Sequence, residues 1–119
     1  MSAEFPQAFI DANERFSEGL WHNFMRPLSQ YQLRMRLECL KNYDRYPTTA
    51  EASQCVEQSA VELAQRAQVV VRFSQTMQRE ISRCFQQGGT SGRDACLLDL
   101  VPLFDDAMDT FESSLADLN

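Results

Sequence analysis

Residues 48–89 read TTAEASQCVEQSAVELAQRAQVVVRFSQTMQREISRCFQQGG. Thr48 stands three residues before Glu51, the spacing at which a hydroxyl and a carboxyl cap the free N–H groups of a helix's first turn. From there Val56, Ala60, Leu63, Ala67, Val70, Ser74, Met77, Ile81 and Cys84 recur at alternating steps of four and three. Such a run is an apolar heptad seam, and Ser74 is its one polar member. It predicts a single long helix over 49–87, stopped by Gly88 and Gly89.

Working outward, the N-terminal side holds two more helical patterns. Phe9, Ala12, Phe16, Leu20 and Phe24 share a face and predict a helix over 6–25, with Pro6 suited to a first turn. Pro27 ends or kinks that helix and opens a second over 27–43, whose apolar face is Leu33, Leu37 and Leu40. Asp44-Arg45-Tyr46-Pro47 breaks it. On the C-terminal side, Leu97, Leu100, Phe104, Ala107 or Met108, Phe111, Leu115 and Leu118 predict a helix over 93–117, with Ser91 and Asp94 as a second cap and Pro102 kinking it or restricting it near its start. No alternating β-branched run and no Asn-Gly or Asp-Gly turn signals a strand. The expected fold is all-α: antiparallel helical hairpins in a small bundle of about four helices, one domain over 1–119.

The four cysteines are placed against this map. Cys39 and Cys55 each lie eight residues from Pro47, and Cys84 and Cys96 each lie six residues from Thr90. Residues equidistant from a turn face each other across an antiparallel helix pair, so both pairs suit disulfides Cys39–Cys55 and Cys84–Cys96. Each would close a short loop, a constraint of roughly 3 kcal/mol on the unfolded chain. Four buried free thiols are the alternative reading. Zinc fits poorly: 15, 28 and 11 residues separate successive cysteines, there is no Cys-x-x-Cys, and His22 is the sole histidine. No metal and no cofactor is expected.

Net charge is −6, which disfavours nucleic acid as a partner. No apolar run is long enough to span a bilayer. Met1-Ser-Ala-Glu-Phe-Pro6 has neither a basic segment nor an apolar one, so no secretory signal is expected there. His22 has no nucleophile or carboxylate at triad spacing, and Gly88-Gly89-Thr90-Ser91-Gly92 follows a helix where a phosphate loop would follow a strand. No catalytic residue is assigned, and the chain is not expected to be an enzyme. Candidates for partner binding are Phe5, Phe9 and Trp21, from an unusually aromatic first helix, and Asp105, Asp106 and Asp109. These acids belong to a C-terminal region that has no Lys or Arg after Arg93.

Gln54-Cys55-Val-Glu-Gln-Ser-Ala-Val-Glu-Leu-Ala-Gln-Arg-Ala-Gln, then Arg83-Cys84-Phe-Gln-Gln and Ala95-Cys96, resemble the eukaryotic proteins called "family with sequence similarity 136". More distantly they are similar to the small Tim chaperones. Both groups are helical mitochondrial proteins built on paired Cys-x-x-x-Cys motifs, and the resemblance spans roughly Leu28 to Phe111. Here each motif holds one cysteine, with Tyr43, Ser59, Gly88 and Leu100 at the fourth positions onward. The resemblance implies a protein of the mitochondrial intermembrane space, where small helical proteins without a cleaved presequence are oxidised. The function expected is a non-catalytic structural accessory subunit of an inner-membrane complex, the respiratory chain or ATP synthase, peripheral to the membrane and bound to other protein subunits. A small-Tim-like import chaperone and a reduced soluble helical adaptor are the alternatives.

Overall fold

The computed structural model describes Phe5 to Leu118. It contains α1 (Gln7–Leu20), a π-helical turn (Trp21–Met25), α2 (Arg26–Lys41), α3 (Thr49–Phe85), α4 (Thr90–Asp99) and α5 (Val101–Ser113), followed by a 3-10 turn over Ala116–Leu118. These join into three rods where about four helices were expected. The molecule measures 66 × 24 × 22 Å. Its length comes from α3, whose 37 residues rise about 55 Å at 1.5 Å each.

Pro27 does not separate two helices. Residues 20, 21, 25 and 26 all have right-handed helical dihedrals, and the chain runs on through the proline. The Arg26 N–H donates to the Trp21 carbonyl, five residues back. Proline lacks an N–H and its ring collides with the carbonyl four residues earlier in a regular α-helix. The wider turn gives that region room, at the cost of one extra residue in the helical repeat. The sequence around it uses that residue. Phe16, Leu20, Phe24 and Leu28 follow at three successive steps of four. In a regular α-helix each such step overshoots by about 40°, about 120° in all. One inserted residue removes about 100° of this. Phe24 and Leu28, both fully buried, stay in line with the face that Phe9 and Ala12 begin.

The third rod starts at Thr90, earlier than position 93, because Gly89 takes φ 80° and turns the chain directly into it. Neither Ser91 nor Asp94 caps it. Pro102 acts as a restriction: the α-helical ladder is interrupted at Leu100, and α5 opens with the proline in its first turn. At the start of α3 the Thr48 hydroxyl accepts from the Glu51 N–H (3.1 Å) and donates to the Glu51 carboxylate (3.0 Å).

All eight phenylalanines join one connected series of ring contacts. Phe85 touches Phe5, Phe5 stacks on Phe9, and Phe9 meets Phe104 edge-on at 5.6 Å. Phe104 touches Phe16 (5.2 Å) and Phe73 (6.0 Å), which reach Phe111, and Phe111 reaches Phe24 at 5.4 Å. Aromatic pairs add about 0.5–1.5 kcal/mol each beyond area burial. This series draws on all three rods. On α3 the expected seam holds at Leu63, Ala67, Val70, Met77, Ile81 and Cys84 and departs at two places. Phe73 packs on the core while Ser74 is exposed, and Ser59 is buried while Ala60 is exposed. The Ser59 hydroxyl is satisfied by donating to the Val56 carbonyl at 2.7 Å.

The third rod is shorter than the other two. Its end meets α3 at Arg66, which donates to the Ser114 carbonyl (3.1 Å) and to both Asp117 carboxylate oxygens. Past that point α2 and α3 continue as a two-helix arm. Tyr31 lies opposite Glu62 and Cys39 is bonded to Cys55, so the two helices run in opposite directions. The arm buries little beyond Cys39, Cys55 and Ser59. Phe104→Ala, which removes the ring that links Phe9, Phe16 and Phe73, is expected to cost about 3–5 kcal/mol in urea unfolding. Val61→Ala, on the exposed side of the arm, is expected to change stability by less than about 0.5 kcal/mol.

Candidate functional site

Both disulfides are formed and no cysteine is left free. Cys39–Cys55 has a Cα separation of 5.6 Å and ties α2 to α3 across the arm. Cys84–Cys96 has a separation of 5.4 Å and ties α3 to α4 at the other end of α3. Cys39 and Cys84 are almost completely buried. By loop entropy each bridge restrains the unfolded chain by about 3 kcal/mol. The chemistry they supply is shape, because no thiolate remains to act as nucleophile or ligand.

The partner candidates are dispersed over the molecule. Phe9 is a correction. It is 5% exposed, between Phe5 and Phe104 in the core, so it cannot anchor a partner. Phe5 is half-buried, stacked on Phe9 at 5.3 Å and edge-on to Phe85 at 5.4 Å. Trp21 is 54% exposed. Asp105, Asp106 and Asp109 are exposed on α5, and no cation among the described residues forms an ion pair with them. His22 is exposed at the rim of an open cleft of about 530 Å³ that also takes in Arg34 and Glu112. Among the described residues no group of three His, Cys, Asp or Glu side chains converges as a metal site, and no helix is long and apolar enough to cross a membrane.

The sequence places Leu33, Leu37 and Leu40 on one apolar face of the second helix, and that face is open. The three leucines are 58%, 51% and 56% exposed. The periodicity is real, but it marks the outer face of α2. Its inner face carries Leu28 and Cys39 instead. Around the leucines stand Arg26, Arg34, Arg36 and Lys41, all exposed. The signal available in the sequence was their company. A leucine row interleaved with four cations and one acid, Glu38, is a poor fit to a buried face.

At the root of the arm a polar network joins the rods. The Tyr31 hydroxyl donates to Glu62 at 3.4 Å, Arg66 pairs with the same carboxylate at 3.3 Å, and Arg66 pairs with Asp117 at 2.9 Å. The hydrogen bond from Arg66 holds the Asp117 carboxyl below its usual range. Burial, reinforced by the negative charge of Glu62, raises the Tyr31 phenol above its usual value. A second opening, an apolar groove of about 390 Å³, runs between α1 and α3 and is lined by Phe5, Phe16, Leu20, Phe73, Met77 and Ile81 among others.

Comparison with protein-family models, with curated proteins and with solved structures gives no match to this chain.

Because the folded state raises the Tyr31 pKa above its unfolded value, its contribution is present below about pH 10 and is lost as pH rises through the folded value. Absorbance titration of the phenolates is expected to show a component that ionises above the usual tyrosine range, and Tyr31→Phe is expected to remove it.

Proposed function

We propose that this chain is a non-catalytic structural accessory subunit of a mitochondrial inner-membrane complex, on the intermembrane-space side, with the respiratory chain or ATP synthase as host. One observation carries the reading. Both disulfides bind helix to helix, they consume all four cysteines, and one of them holds a two-helix arm that has almost no core of its own. An arm of this kind gains little for the stability of the chain by itself. It projects side chains to where a neighbouring subunit or surface can meet them.

Three further points support the reading. Disulfides persist in oxidising compartments, and the intermembrane space is the one implied by the resemblance around Cys55, Cys84 and Cys96. The exposed Trp21, and the exposed Asp105, Asp106 and Asp109 without a cation partner, offer contacts of both apolar and charged kinds. All four cysteines are spent on structure, which leaves no free thiol on the chain.

The test is native size. Gently solubilised mitochondrial membranes are separated under non-reducing conditions, and the chain is located and its thiols counted by alkylation and mass spectrometry. The expected result is migration with an assembly far larger than the 13.7 kDa chain, with no alkylated thiol. A discrete oligomer of a few copies would favour a small-Tim-like chaperone. A monomer with four free thiols would overturn the proposal in favour of a soluble adaptor.

A further inference from the structure

We infer that the outer face of the first rod, from Trp21 to Lys41, is a docking surface for an anionic lipid bilayer. The inference rests on the reading of the chain as membrane-peripheral, and it names the surface and the chemistry that would do the binding.

The face is assembled by the π turn. Trp21 and Leu33 are twelve residues apart, which in a regular α-helix would set them about 120° out of line. The inserted residue takes back about 100°, so Trp21 comes to within about 20° of the Leu33 line. Leu37 and Leu40 extend the row at steps of four and three. Trp21, Leu33, Leu37 and Leu40 are all more than half exposed. The row they form is about 29 Å long.

The charges along the leucines are mostly of one sign, four cations against Glu38, while Glu18 lies one turn before Trp21. At about 100° per residue, Arg34 and Lys41 fall on one side of the leucine row, Arg36 falls on the other, and Arg26 lies in line with it. Glu38 is the one acid on α2, and its carboxylate accepts from the Asn42 side chain at 3.0 Å. The reverse side of the arm is opposite in sign. The stretch of α3 from Thr49 to Gln65 carries Glu51, Glu57 and Glu62 and no Lys or Arg. The arm is thus polarised: basic and leucine-rich on α2, acidic on α3. In a chain of net charge −6 this is a local reversal. Apolar side chains rimmed by Lys and Arg, with an aromatic ring at one end, form the pattern of a helix that lies in an anionic membrane interface.

A second copy of the chain fits the same face less well. A two-fold pairing over the leucines would bring Arg34, Arg36 and Lys41 of both copies together. A partner protein needs a matching ridge or groove. The leucines stand in single file on the outer side of one rod, a shape that a fluid planar surface accepts without complementarity.

The test is flotation of the purified, oxidised full chain with phosphatidylcholine vesicles and with mixed phosphatidylcholine–phosphatidylglycerol vesicles. The chain is expected to float with the mixed vesicles and not with the neutral ones, and to be released as salt is raised. Arg34→Gln with Arg36→Gln is expected to lower partitioning about 25-fold, at about fivefold per basic residue near an anionic surface. Leu33→Ser, Leu37→Ser and Leu40→Ser together are expected to abolish it, while Asp105→Asn with Asp106→Asn, on α5, leaves it no weaker. All these positions are exposed, and unchanged helical circular dichroism verifies that each variant is folded. No flotation, or flotation that the α2 variants do not weaken, overturns the lipid surface. Migration in a large assembly is a separate readout, so a failed flotation with that migration retained removes this inference and leaves the subunit reading standing.

Discussion

The bond between Cys39 and Cys55 is the constraint on which the exposed half of this molecule depends. Where the third rod ends, at the contact of Arg66 with Ser114 and Asp117, the phenylalanine core ends too. Beyond it two helices lie side by side with one buried serine and the disulfide itself as most of their interior. A helix pair with so little apolar burial does not offset the conformational entropy of ordering its residues. Closing a loop of sequence separation 16 removes about 3 kcal/mol of that entropy from the unfolded chain. The Tyr31–Glu62–Arg66–Asp117 network adds contacts at the root of the arm, but its ion pairs are partly solvated and such pairs contribute little.

The π turn at Trp21–Met25 is the second device, and it acts on both sides of the rod at once. On the inner side it keeps Phe24 and Leu28 in line with Phe9 and Ala12, so a single rod serves the core on both sides of Pro27. On the outer side it carries Trp21 round to the leucine row of α2. A proline accommodated in this way changes which residues share a face, which a simple helix break would not do. The surface of the arm and the packing of the bundle therefore trace to one local irregularity.

Much of the helical content could be read from the sequence because it rests on local patterns. The cap at Thr48, the stop at Gly88 and Gly89, and the placement of the cysteines about Pro47 and Thr90 are all short-range signals. What escaped was phase and partnership. The α3 seam packs as its steps of three and four suggest at Leu63, Ala67, Val70, Met77, Ile81 and Cys84, but the bulk of Phe73 takes the place next to it and leaves Ser74 outside. Leu33, Leu37 and Leu40 have the spacing of a core face, but spacing reports only that the leucines share a side. Whether another helix covers that side depends on where the third rod ends, a tertiary fact. Phe9 went the other way: its ring meets Phe5 and Phe104 inside the bundle. Pro27 was expected to divide two helices, and the three steps of four across Phe16, Leu20, Phe24 and Leu28 were the available sign that it does not.

The most direct test of the account is amide hydrogen exchange on the Cys39→Ser, Cys55→Ser variant, with Cys84–Cys96 left intact. Protection is expected to fall about 100-fold in the arm, over 32–41 and 49–61, while α1, α5 and the part of α3 that carries Phe73 and Met77 keep theirs. Unchanged protection in the arm would contradict it, because the helix pair would then stand without its staple. Equal loss of protection throughout the chain would contradict it as well, because the arm and the phenylalanine core would then be a single cooperative unit.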